Sequence, residues 1–408
     1  LALAGGVAVG SQRDASGVDA VALVVGFLTC VACLALLTGP LRTARTPGEP
    51  GPGATTRRGF LIRAGLVTAA GATAAVVGRT VGLGRRRVEQ ARRLLRLPGV
   101  TAPRVPQGAR VGVPGMPPWM TPADDFYRID TAIYVPAVEP QDWRLRIHGM
   151  VDREIVLGFQ ELIARRPTEA WVTICCVSND VGGPLIGNAW WSGVRVADLL
   201  REAGVRPGAD AVLQTSHDGW TCGTPLSALT DDRDALLAVA MNGEPLPVDH
   251  GFPVRTIVPG LYGYVSACKW VVDLEVTRFA DISAYWTERG WSERGPVKIS
   301  SRIDVPQDNS DVTASGAQIA GVAWAQHTGI ARVEVNVDGG EWRPAELARV
   351  PSDDTWVQWV VTLDLEPGDH VLRVRATDKE GLVQTDAVHG PVPDGATGLH
   401  TIDVTARS

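Results

Sequence analysis

The chain has 408 residues, a formal net charge of −6, 45% hydrophobic residues and 13 tryptophans, enough for two or three domains with a substantial core. Its charge is split: residues 1–118 hold 15 arginines, no lysine and four acidic residues, and the remainder holds 24 basic against 41 acidic residues. A basic leading part on an acidic body argues against nucleic-acid binding, and six cysteines, two adjacent in an apolar run, argue against a disulfide framework.

The leading part reads as membrane-associated. Residues 1–40 are expected to hold one or more transmembrane segments, because Ala20 to Gly39 is free of charge over a length that crosses a bilayer as a helix. Cys30 and Cys33 fall inside that run, where a redox pair has little use. Residues 41–59 carry Arg42, Arg45, Arg57 and Arg58 and read as a cytoplasmic loop. Thr56-Arg57-Arg58-Gly59-Phe60-Leu61 followed by an Ala/Gly-rich apolar run matches a twin-arginine export signal, so 60–84 is expected to be a signal anchor. The alternative is an ordinary second span behind positive-inside arginines. Residues 85–118 form a basic helix with a stripe of Val88, Ala91, Leu94 and Leu95, suited to a membrane surface, then a Pro/Gly-rich linker. This arrangement places the chain in a bacterial cell membrane with its body outside the cytoplasm. No histidine lies in the apolar runs, so these cannot hold a haem through paired histidines. If the protein moves electrons, they must pass to or from a separate carrier, cytochrome or quinone-linked.

The body, residues 119–296, mixes short strands and helices. Strands are expected at 143–149, 211–216, 236–241, 252–258 and 269–276, and helices at 157–165 and 196–203, the latter stopped by Gly204. Asn242-Gly243 is a hairpin signal. Such mixing predicts an α+β domain. The organising stretch is Glu169 to Gly183. Val172, Ile174 and Val177 make a buried strand that Ser178-Asn179-Asp180 and Gly182-Gly183 stop. Cys175 and Cys176 are adjacent, so a strand sends them to opposite faces. One can reach a site above the turn while the other packs, unless both belong to the core. Residues 297–408 change to short strands between turns, with strict alternation over Ala331–Asp338, and predict an immunoglobulin-like β-sandwich.

Three stretches can converge: Cys176 to Asn179, Asp249 to Gly260, and Tyr262 to Trp270. A thiolate with His250, Arg255 and Lys269 suits an anionic cofactor bound through a soft metal, because arginine offers a fork to phosphate and lysine a point charge. The same residue types allow a cysteine hydrolase with Cys176 as nucleophile, His250 as base and Asp249 or Asp218 as orienter. A third reading is a tethered binding module whose β domain does the work.

At these residues the sequence resembles the sulfite oxidase family of molybdenum-cofactor enzymes. The resemblance covers about 119–408. It rests on Cys176-Val177-Ser178-Asn179 with Gly182-Gly183, Trp190 to Val194, Asn242 to Pro247, His250 to Arg255, Pro259 to Gly263, and Lys269-Trp270 in order. It implies a molybdenum–molybdopterin cofactor with Cys176 as the protein's thiolate ligand and two further sulfurs from the pyranopterin. It also implies that His250 and Arg255 contact the pterin and its phosphate, and that Lys269 with the backbone at Ala267 and Cys268 closes the pocket. Tyr127 and Arg128 would lead into the site, with Ser216 or Thr215 beside it, and the β domain would make a homodimer. Where sulfite-oxidising members place an arginine to bind the dianion, this chain has Asp180 and Val181. The expectation is therefore a molybdopterin-dependent oxidoreductase that transfers an oxygen atom to or from a small molecule. Reduction of an S-oxide or N-oxide is preferred, and oxidation of sulfite or a related sulfur oxyanion is the alternative.

Overall fold

Alternation and turn chemistry account for most of the body. The computed structural model describes residues 84–408 other than 133, with Leu61, Ile62, Gly65, Thr68 and Gly71. The chain divides into Leu1–Arg87 and Val88–Ser408, and the second unit carries everything below. The expected transmembrane run at 20–39, the Cys30/Cys33 pair and most of the twin-arginine segment lie outside the described residues. Among the described residues no helix is long and apolar enough to cross a membrane. The basic helix extends over 84–94. Val88 is 1% exposed and sits in an apolar cluster with Phe126, Leu246 and Phe252, and the Arg92 guanidinium donates to the Leu246 carbonyl at 2.8 Å. This part of the expected membrane-surface stripe is thus spent on the protein's own core.

The body contains β1 (Arg144–Gly149), β2 (Ile155–Gly158), α1 (Phe159–Ile163), β3 (Thr168–Cys175), β4 (Ile186–Arg195), α2 (Val196–Ala203), β5 (Ala211–Ser216), β6 (Thr221–Pro225), α3 (Leu226–Thr230), β7 (Leu236–Met241), β8 (Glu244–Pro245), β9 (Arg255–Ile257) and β10 (Val271–Thr277). It is mostly β with few helices: α1 is shorter than the expected 157–165, while α2 has the expected bounds. One sheet runs β2-β1-β10-β5-β6, and the other runs β3-β4-β7-β8 with β9 also on β7. In β1, Leu145 and Ile147 are fully buried while Arg144 and Arg146 face out, each apolar side chain contributing about 1.5–3 kcal/mol of burial. In α2, Val196, Ala197, Leu199, Leu200 and Ala203 form the buried face, and Gly204 ends the helix in the left-handed region at φ +73°. Asn242 and Gly243, both at positive φ, turn β7 into β8 as a two-residue hairpin does.

The C-terminal strands are β11 (Ser300–Val305), β12 (Ser310–Thr313), β13 (Ala317–Trp324), β14 (Ile330–Val337), β15 (Trp342–Pro344), β16 (Glu346–Leu347), β17 (Val357–Leu363), β18 (Gly368–Asp378) and β19 (His400–Arg407). They make two sheets, β11-β13-β17-β16 and β12-β19-β18-β14-β15, enclosing Ile303, Ile319, Val335, Trp359, Leu372, Val374 and Ile402. This sandwich braces the strand that leads to the site. Thr173 of β3 receives the Trp356 N–H on its hydroxyl at 2.8 Å, Trp356 donates its indole N–H to the Trp119 carbonyl at 2.9 Å, and Arg302 donates to the Gly183 carbonyl at 2.7 Å.

Candidate active site

The last five residues of β3 are buried on both faces, so the strand delivers the next residue to a fixed position. Cys175 packs in the main core at 2% exposure, and Cys176 lines a cleft. The adjacent cysteines therefore divide between core and cleft, as strand alternation requires. The turn after Cys176 is tightly closed. Its backbone N–H donates to Leu185 at 2.9 Å, Asn179 Oδ1 receives the Leu185 N–H at 2.7 Å, and the Ser178 N–H points at Cys176 Sγ from 3.4 Å. Gly182 sits at φ +78° with the His400 ring where a Cβ would go, so neither its conformation nor its neighbour tolerates a side chain. Burial raises the Cys176 thiol above its ordinary pKa, with the Ser178 N–H opposing. A metal binding there would displace the proton.

The basic side comes from two loops held together by Gly251. At φ +107° this residue brings its backbone so close to Arg255 and Lys269 that a Cβ would lie 2.9 Å from Arg255 Cβ and 3.2 Å from Lys269 Cα. Arg255 opens β9 and is buried. It donates from Nη1 to the His250 carbonyl at 3.1 Å and packs 5.3 Å from the Trp191 ring centroid, while its buried Nε has no partner among the described residues. Desolvation lowers its pKa to about 10. Ser216 Oγ, also on the cleft, is buried without a partner among the described residues. A buried guanidinium and a buried hydroxyl with unmet hydrogen-bonding capacity are costly in the protein alone and are suited to an anionic ligand.

His250 is neutral. Burial and the nearby Arg255 and Lys269 charges lower its pKa to about 3, and its Nε2 lies 3.2 Å from the Ala123 carbonyl, which assigns the proton to Nε2 and leaves Nδ1 an acceptor. The unfolded chain takes up a proton near pH 6.5 while the folded chain resists until about 3, so the unfolded state binds more protons in that window. Stability of the cofactor-free protein should therefore fall as pH drops from 6.5 towards 3, by roughly 4 kcal/mol from this group. Urea unfolding across that range checks the slope, and His250→Gln should flatten it.

Lys269 is neutralised inside the protein. Its Nζ donates to Asp130 Oδ2 at 2.7 Å and to the Asp249 carbonyl at 3.1 Å, and burial outweighs the Asp130 attraction enough to lower its pKa to about 8. Trp270 follows at φ +51°, a rare conformation for a bulky residue, with its indole N–H fixed to the Val248 carbonyl at 3.1 Å. Asp130→Asn would leave the ammonium buried without its counter-charge. The expected cost is about 3 kcal/mol of stability, measured as a lower denaturation midpoint.

Of the residues singled out from sequence, Tyr127, Cys176, Ser216, His250, Arg255, Ala267 and Lys269 line one cleft. Three others do not line it. Arg128 turns to the carboxylates of Asp130 and Asp249, at 2.9 and 3.2 Å. Thr215 alternates with Ser216 along β5 and so faces away from the cleft. The Cys268 N–H, expected to close the pocket, is taken by Thr256 Oγ1 at 2.8 Å, in a buried network with Gln214. Conversely, Phe126, Ile129, Asp130, Asp218, Trp220, Tyr264, Trp286 and Trp291 line the cleft and were not read as cofactor contacts. Of these, the sequence singles out only Asp218, as an orienter, and Tyr264, within the stretch Tyr262 to Trp270.

Among the described residues no three His, Cys, Asp or Glu side chains gather to hold a metal, so a metal bound at Cys176 would bring most of its ligands with it. Residues 132–286 match the family described as oxidoreductase molybdopterin binding domain. The chain is 36% identical over 153 residues to the uncharacterized oxidoreductase YuiH of Bacillus subtilis, covering 38% of this chain and 74% of that one. It is 29% identical over 321 residues to sulfite oxidase of Gallus gallus, covering 66% and 69%. In structure it is similar to the sulfane dehydrogenase SoxCD of Paracoccus pantotrophus, with a TM-score of 0.61 and 24% identity over 76% of this chain and 85% of that one, a likeness of fold. The lone cleft thiol and the unsatisfied Arg255 and Ser216 are the donor set that a sulfur-ligated metal on a phosphorylated pterin calls for. This chain belongs to the sulfite oxidase family of oxidoreductases, whose cofactor is molybdenum carried on molybdopterin.

Proposed function

We propose that this enzyme reduces a neutral S-oxide or N-oxide. The observation that carries this reading is the charge of the cleft. Its lining cations among the described residues are Arg255, at the end suited to the cofactor phosphate, and Lys269, already neutralised by Asp130. Asp180 and Val181, at the positions where the resemblance puts the sulfite-binding arginine, supply no cation, and neither lines the cleft. The cofactor, when bound, supplies two-electron oxygen-atom transfer. Cys176 would be the protein's thiolate to the metal, and Arg255 would give its fork to the phosphate. Ser216 would donate its hydroxyl, neutral His250 would offer Nδ1 as an acceptor, and Lys269 with Ala267 would wall the pocket. None of these attacks substrate; they hold the cofactor and exclude water.

The relatives' names support a second reading, oxidation of sulfite or another sulfur oxyanion. A screen separates the two. With reduced viologen as donor, sulfoxides and amine N-oxides should turn over. With ferricyanide as acceptor, sulfite should not, and brisk sulfite oxidation would reverse the assignment. We further propose export of the loaded, folded chain through the twin-arginine segment at Thr56–Leu61, with a membrane tether and a separate electron-carrying protein as partner.

A further inference from the structure

Part of the cleft wall is an aromatic box. Trp220, Tyr264, Trp286 and Trp291 line it, and Asp218 joins them. The rings of Tyr264 and Trp291 are 5.8 Å apart at 48°, and Trp286 meets Trp291 at 6.1 Å and 76°, so the walls present ring faces in more than one direction. Tyr264 has its hydroxyl committed to the Ser292 carbonyl at 2.7 Å, which leaves its ring as what the cleft sees. Asp218 is exposed at the turn and receives the Trp220 N–H at 3.2 Å, so it places a carboxylate beside the rings. Ring faces are negative and attract polarised N-methyl groups. A carboxylate at the rim adds to that attraction and repels oxyanions.

We propose that this box, with Asp218, binds the onium end of a trialkylamine N-oxide and makes such N-oxides the preferred substrate class. The proposal rests on the reductase reading above. In the reaction the N–O bond breaks, nitrogen keeps the bonding pair and becomes the neutral amine, and the oxygen with two electrons and two protons leaves as water. The electrons come from a one-electron carrier protein, or from reduced viologen in the assay. A sulfoxide offers the box two methyl groups on a sulfur that keeps a lone pair, in place of three on a tetrahedral ammonium nitrogen, and should bind less tightly.

The test combines binding and turnover on the loaded enzyme. Trimethylamine N-oxide, dimethyl sulfoxide and tetramethylammonium are titrated against tryptophan fluorescence, and steady-state reduction is followed with reduced viologen. Trimethylamine N-oxide should bind about tenfold tighter than dimethyl sulfoxide, and tetramethylammonium should compete with it. Trp286→Leu and Trp291→Leu should raise KM for the N-oxide about tenfold with little change in kcat, and Asp218→Asn should raise it about threefold. Equal affinity for both oxides, no competition, or an unchanged KM in all three variants would overturn the proposal. Should a tryptophan variant fail to fold, the exposed Asp218→Asn and the tetramethylammonium competition decide. Sulfoxide reduction without N-oxide reduction removes this proposal and leaves the reductase reading standing; oxidation of sulfite with neither oxide reduced removes both.

Discussion

Cys176→Ala is expected to abolish oxygen-atom transfer while leaving the fold intact. Residues that merely support a metal ligand cost about 10–100-fold when removed, so loss of the protein's own ligand should exceed about 100-fold in kcat. The fold should survive because the backbone around position 176 is fixed by groups other than its sulfur: the Leu185 carbonyl, Asn179 Oδ1 and the Arg302 bond to Gly183. Cys175→Ala makes the control. That thiol is packed in the core, so its loss should cost about 1–2 kcal/mol of stability and little activity. If the two variants behaved alike, the division of the pair between core and cleft would be wrong. Activity, circular dichroism and the thiolate-to-metal absorption band together make the measurement.

Arg255→Met should act with opposite signs on the empty and the loaded protein. In the empty protein the guanidinium is buried and, among the described residues, has no carboxylate partner and leaves Nε unbonded, so an apolar side chain of similar length removes a desolvated charge. Such replacements are often stabilising by about 1–4 kcal/mol, and loss of the bond to the His250 carbonyl offsets about 1 kcal/mol of that. The cofactor-free variant should therefore unfold at equal or higher urea concentration than wild type. In the loaded protein the same change removes a charge-assisted fork on phosphate, and cofactor affinity should fall about 10–100-fold. A variant that lost stability equally in both forms would make Arg255 a structural cation and not a ligand for an anion. The pairing of these results is informative because a generic packing defect cannot raise one stability and lower the other.

How far the sequence anticipates this molecule depends on how local the cause is. Strands β5 and β7 and helix α2 have the bounds their residue patterns predict, because alternation, helical periodicity and Gly204 act within a few residues. The division of Cys175 from Cys176, and of Ser216 from Thr215, follows from strand geometry alone. The errors lie where tertiary contacts choose among adequate local options. Arg128 carries no local sign that two carboxylates, one of them 121 positions away, will claim it. The Cys268 N–H is claimed by a hydroxyl from β9. Val88 looks like part of a membrane-facing stripe until the Phe126 and Leu246 side chains close over it. The aromatic box is the least legible part. Trp286 and Trp291 lie in an irregular segment with no periodicity, and their meeting with Trp220 and Tyr264 depends on how three loops converge.

The most direct measurement of the central claim is X-ray absorption at the molybdenum edge of the purified protein and of Cys176→Ala. The account predicts about one molybdenum per chain in the wild type, with a sulfur neighbour that disappears from the metal's shell in the variant while the pterin sulfurs remain. An unchanged sulfur shell in Cys176→Ala would contradict it.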